Sequence, residues 1–167
     1  MEQVWERLMN AKGYLIEGIF ANLLHITLHN KEIILHATEP VLYIQKDNSA
    51  DIKYWKIGWT EDDAGDDYLL PEEQETPEPL EYELIEDPYQ RHTYQKHIIS
   101  SSSFSIEHNL IKEVIGYGSI YSNRVILSAV VLELEDSFLS IEAGPAAEMR
   151  VTNKEPKHLG DAIFSTA

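Results

Sequence analysis

A chain of 167 residues with 43% hydrophobic content can bury one substantial core but is short for two, so a single domain spanning 1–167 is expected. The absence of cysteine excludes disulfides, thiolate nucleophiles and thiolate metal sites, and fits a reducing, cytoplasmic setting. A net charge of −16 excludes nucleic acid and anionic lipid as partners held by long-range attraction and points any charge-recruited partner toward basic protein.

That charge is local. Thirteen of the 29 acidic residues lie between Glu61 and Gln90, where there is no lysine or arginine, and this leaves 16 acids against 13 bases in the rest of the chain. The protein therefore reads as a near-neutral body with one anionic segment.

The first residues, Met-Glu-Gln-Val-Trp-Glu-Arg, lack the basic and apolar regions of a signal peptide, and no apolar run approaches the ~20 residues that span a bilayer. A soluble chain is expected. Val4, Trp5, Leu8 and Met9 fall at helical spacing and Gly13 follows, which predicts a short amphipathic helix.

From Tyr14 to Thr60 apolar residues alternate with polar ones, and Asn30-Lys31, Pro40 and Asp47-Asn48-Ser49 punctuate the pattern, so antiparallel strands are expected. A two-residue turn at Asn30-Lys31 sets Leu24 opposite Ala37, Ile26 opposite Leu35 and Leu28 opposite Ile33 on a core face. The other face carries His25, Thr27 and His29, with His36 opposite His25 and Glu32 opposite His29. Three imidazoles and a carboxylate are the types that bind zinc or nickel, so His25, His29, His36 and Glu32 are the candidate ligands of a pocket protein or metal-dependent enzyme. The assignment is nonetheless no metal and no cofactor, because a hairpin later in the chain repeats the pattern without ligands and nothing in the sequence supplies a second shell.

Lys53, Trp55, Ile57 and Trp59 alternate onto one strand face, either as core or as an aromatic binding surface. The acidic stretch that follows holds Pro71, Pro77, Pro79 and Pro88, which disfavours a regular element, and it is expected to be a loop or insertion at about 61–90. Its carboxylates are interleaved with aromatic and aliphatic anchors, a composition suited to steering and then holding a basic partner. The candidate partner-binding set is Trp55, Trp59, Asp62, Asp63, Asp66, Asp67, Tyr68, Glu72, Glu73 and Tyr82. The run Glu61-Asp-Asp-Ala-Gly-Asp-Asp lacks the alternating ligand spacing of an EF-hand.

Strands resume after His97. Ser100 to Ser103 reads as a strand edge or linker, Leu110 to Ile115 as either strand or helix, and Gly116-Tyr-Gly-Ser119 as a turn or bulge without the lysine of a phosphate loop or the geometry of a nucleophile elbow. A turn at Asp136-Ser137 pairs Leu134 with Leu139, Leu132 with Ile141 and Val130 with Ala143, a set that superposes on the first hairpin at one constant offset and suggests an internal duplication. Beyond Pro156 a loose tail is expected, ending in an apolar patch at 162–164.

The expected fold is mainly β, an antiparallel sandwich, strongly curved sheet or half-barrel with a short N-terminal helix, and the alternative is α+β with a second helix near 110. The expected function is a small acidic binding protein without catalytic activity, of the inhibitor or toxin-immunity kind, that neutralises a basic partner. The alternatives are the histidine-face pocket and a housekeeping β domain whose acidic segment confers solubility.

Overall fold

The computed structural model describes residues 4–46, 51–86, 94–99, 102–121 and 124–167. The architecture is mainly β and antiparallel. Among the described residues a helix, α1 (Val4–Met9), precedes fourteen strands: β1 (Tyr14–Ala21), β2 (Leu24–His29), β3 (Glu32–Ala37), β4 (Val41–Lys46), β5 (Ile52–Glu61), β6 (Asp67–Gln74), β7 (Tyr82–Glu86), β8 (Tyr94–Ile98), β9 (Ser102–Phe104), β10 (Glu113–Tyr121), β11 (Arg124–Glu133), β12 (Phe138–Glu142), β13 (Ala147–Thr152) and β14 (Asp161–Ser165). They form a five-stranded sheet in the order β6-β5-β4-β1-β9, a seven-stranded sheet in the order β14-β10-β11-β12-β13-β3-β2, and a β7-β8 ribbon. No helix among the described residues is long and apolar enough to cross a membrane.

The two large sheets share one core. Ile16, Ile19, Leu42, Ile44, Trp55, Ile57 and Leu69 come from the first sheet, and Leu35, Val114, Val130, Leu132, Leu139, Ile141 and Met149 from the second. Leu8 of α1 completes it, as the helical spacing predicts, and α1 rests against β6 and β10. In β1 a bulge between Ile16 and Gly18 leaves Glu17 outside and resets the alternation, so Ile16 and Ile19 both point inward. A second, smaller cluster lies on the opposite face of the five-stranded sheet, where Val41, Tyr54 and Leu80 pack with Phe20, Tyr43 and Ile98.

The hairpin at Asn30-Lys31 has the expected register, Leu24↔Ala37 through His29↔Glu32, with φ of 50° and 68° at the two turn residues. Its burial differs from expectation. Leu24 and Leu35 are buried, but Ile26 is 52% and Leu28 76% exposed, because β2 is the edge of the seven-stranded sheet and lies beyond the reach of the five-stranded one.

The second hairpin corrects the expected register. Leu134 N–H donates to Ser137 C=O across a four-residue connection, and Leu132 pairs with Leu139 and Val130 with Ile141. A shift of two preserves the faces, so Val130, Leu132, Leu134, Leu139 and Ile141 are still buried. Both hairpins belong to the same sheet.

The segment 61–90 is not a loop within its described part. β5 runs through Glu61, β6 pairs with it from Asp67 to Gln74, and β7 pairs with β8. Pro71 is accommodated because β6 is an edge strand, where a missing N–H leaves no ladder bond unmade. Pro88 and the Asp47-Asn48-Ser49 turn lie outside the described residues, as do Ser100 and Ser101, whereas Ser102 and Ser103 form the short edge strand β9. Leu110 bridges Leu15 and Glu113 opens β10, so the stretch from 110 to 115 is extended rather than helical. Nor is the C-terminus a loose tail: β14 pairs with β10, and Ile163 and Phe164 pack against the core.

Candidate functional site

The acidic residues singled out in the sequence come together at the β5-β6 turn. Gly65, at φ 84°, allows the chain to reverse, and the Asp62 carboxylate accepts hydrogen bonds from the Ala64 and Asp66 N–H groups, both at 2.9 Å. Asp62 N–H also donates to Asp66 C=O at 2.9 Å. The anionic tip is thus held by its own backbone. Among the described residues no cation forms an ion pair with Asp62, Asp63, Asp66 or Asp67. Beside the tip the β10-β11 end supplies Ser119, Arg124 and Ser128, and the two enclose a cleft of about 710 Å³. Arg124 Nη2 donates to Tyr68 Oη at 3.0 Å and its guanidinium carbon stands 5.9 Å from the Tyr68 ring centroid, which ties tip and cleft wall together.

The rest of the partner-binding set is dispersed. Trp55 is only 2% exposed and belongs to the core, so its place at a partner surface is corrected; its strand face is the one turned toward the second sheet. Trp59, opposite Leu69, is half-buried. Glu72 pairs with Lys56 at 3.2 Å on one face of the β5-β6 ribbon, and Glu73 pairs with Lys53 at 3.3 Å on the other. Lys53 in turn sits 5.3 Å from the Tyr14 ring. Tyr82 is half-buried and lines a different cleft together with Lys56 and Glu72. What stays together is Asp62, Asp63, Asp66, Asp67 and Tyr68.

The histidine-bearing face forms a second polar centre, though not a metal cage. His36 Nε2 lies 3.2 Å from Glu148 Oε1, Arg150 donates to Glu148 at 3.1 Å and to Glu32 at 3.2 Å, and His29 contacts Asn30 at 3.2 Å. His29, His36 and Glu32 are thereby drawn to separate neighbours while His25 stands across from His36 on β2, and no group of three or more such side chains among the described residues could hold a metal ion.

Glu142 stands directly across from Glu148 on the adjacent strand. Burial raises the Glu142 carboxyl above the ordinary range, and its hydrogen bond to Glu148 and the charge there add to the effect. Burial also opposes ionisation of Glu148, but hydrogen bonds from Arg150, Glu142 and His36 outweigh it and hold that group below the ordinary range. Of the two carboxyls, Glu142 is therefore the one that takes up a proton first as pH falls. The β13-β14 connection, with Lys154, Lys157 and His158, passes over this face and closes a cleft of about 390 Å³.

Glu148 and Arg150 were not among the residues singled out by sequence. Their signal was two polar positions flanking Met149 on one strand face. Recognising it requires the β12-β13 and β13-β3 registers, the second of which joins residues more than a hundred positions apart.

Comparison with family models, with curated proteins and with solved structures yields no match to this chain.

Proposed function

We propose that the protein is a non-catalytic binding module that neutralises a basic protein partner, with the β5-β6 tip as the contact. The observation that carries this reading is the tip itself, where four aspartates within six positions are fixed by a turn and none forms an ion pair among the described residues, the nearby Arg124 being engaged with Tyr68. Carboxylates arranged this way repel one another and impose a standing electrostatic cost, which a cationic surface would relieve. Tyr68 and half-buried Trp59 adjoin the tip and offer the aromatic area on which interface energy concentrates. A reducing, cytoplasmic setting is part of the proposal and rests on the cysteine-free composition.

The test compares the wild type with a variant carrying Asp63→Asn, Asp66→Asn and Asp67→Asn, which spares the turn-holding Asp62. Each is immobilised and challenged with extract of its own cell at low salt. A stoichiometric basic protein that binds the wild type, is released by salt and ignores the variant supports the reading. Equal retention by both forms, or no salt-released basic protein, overturns it.

A second reading, a pocket for a small polar ligand on the histidine-bearing face, is favoured by one observation. Glu32, Glu142 and Arg150 line one cleft beneath the β13-β14 connection, with Glu148 bonded to Arg150, so that carboxyl groups and a fixed cation are presented together. Loss of ligand-induced thermal stabilisation in Arg150→Met would separate this site from the acidic tip.

A further inference from the structure

Among the described residues four strands bound the two large sheets, and three carry devices that discourage pairing with another chain. β6 has Pro71 with Asp67, Glu72 and Glu73; β9 is three residues long; β14 is five residues long and opens on Asp161. β2 has no such protection. It is six residues long, and the stretch from Gly18 to Asn30 contains no Asp, Glu, Lys or Arg in a chain that is 25% charged. Three of the large apolar side chains that the fold leaves in solvent, Leu23, Ile26 and Leu28, cluster there.

We propose that β2 pairs antiparallel with β2 of a second copy of this chain, making the seven-stranded sheets of two protomers continuous across a two-fold axis. The two-residue turn makes His29 and Glu32 a hydrogen-bonded pair, so alternation directs the backbone groups of His25, Thr27 and His29 toward β3 and those of Leu24, Ile26 and Leu28 toward the open edge. Pairing about Thr27 then joins Ile26 of one copy to Leu28 of the other by backbone hydrogen bonds. His25 faces His29 of the second copy, and Thr27 faces its own equivalent.

The segment His25-Ile-Thr-Leu-His29 reads almost identically in both directions, which is what an isologous contact requires of a strand. Ile26 and Leu28 gain apolar neighbours that their own fold does not supply. The absence of formal charge matters because copies carrying −16 each can approach closely only where no carboxylates meet. Edge pairing of one short strand buries less than the roughly 1,200 Å² of a standard interface, so the dimer should dissociate on dilution.

Sedimentation velocity from about 2 to about 200 µM should show the mass rising from 19.1 kDa to twice that value. Ile26→Pro deletes an N–H aimed at the open edge and leaves the β2-β3 ladder whole, while Ile26→Lys installs an edge charge. Both should remain monomeric across the range at an unchanged melting temperature. Because the chain has no cysteine, Thr27→Cys should oxidise to a disulfide-linked dimer on the two-fold axis, where non-hydrogen-bonded partners approach closely, and His25→Cys should not. A wild type that stays monomeric at every concentration, variants that dimerise as the wild type does, or equal crosslinking at 25 and 27 would overturn the proposal.

Discussion

The carbonyl oxygen of Ile126 stands 1.9 Å from the point a Cβ on Gly118 would occupy. The glycine sits at the β10-β11 bulge, where the register shifts between Tyr117 and Gly118, and Gly118 and Ile126 both line the cleft beside the acidic tip. A side chain at 118 must therefore push backbone apart, whereas one at 116 meets the Phe164 ring at 2.1 Å and can be relieved by swinging that ring aside. Gly118→Ala should lower stability by about 2 to 4 kcal/mol and Gly116→Ala by less, as read from urea midpoints. Equal costs at the two positions would count against this account of the bulge.

Cross-strand partners on one sheet face differ sharply in what they tolerate. Leu35 is 0% exposed and Ile26, directly opposite, is 52% exposed. Leu35→Asp should abolish cooperative folding, since an unpaired carboxylate in the core costs several kcal/mol. Ile26→Asp should cost under about 1 kcal/mol. Thermal melts of the two variants decide the point.

The acidic segment contributes to the core as well as to the surface. Leu69 and Leu80 are both buried, one between the sheets and one in the cluster beneath the β7-β8 ribbon. Leu69→Ala and Leu80→Ala should each cost about 2 to 4 kcal/mol. Exchanging residues 62–88 for a short Gly-Ser linker should prevent folding, because it removes β6 and β7 together with both leucines. Cooperative unfolding in the linker variant would show the body to be independent of them.

The Glu142 and Glu148 pair gives a pH signature with a definite sign. A carboxyl raised in the folded state contributes stability at low pH that is lost as pH rises through its folded value, so above that value an ionised Glu142 beside Glu148 is unfavourable. Glu142→Gln keeps a donor to Glu148 without the charge and should stabilise modestly near about pH 7.5, by well under about 1 kcal/mol given solvent screening, with no gain near about pH 4. Glu148, held low, contributes stability that is present at neutral pH and lost on acidification. Glu148→Gln should therefore destabilise near neutrality and have its effect shrink in acid. Urea titrations at the two pH values test both signs.

The sequence by itself determined the elements whose cause is local. Alternation over Tyr14 to Thr60 made strands, Asn30-Lys31 set a register through two positive φ values, helical spacing placed Leu8 in the core, and the crowding of thirteen acids into one segment marked the anionic tip. Tertiary structure decided what each face meets. Ile26 and Leu28 share a face with buried Leu24, yet only the sheet order, which puts β2 at an edge, leaves them in water. Prolines that argued for a loop are compatible with strand at Pro71 because β6 has an open side, a fact no local pattern contains. Trp55 and Asp62 are close in sequence, but packing between sheets took the first into the core and left the second at the surface. The Glu142, Glu148, Arg150 and Glu32 network was the least legible, because it joins β3, β12 and β13, and side-chain periodicity specifies which residues share a face while leaving open which strands will become neighbours.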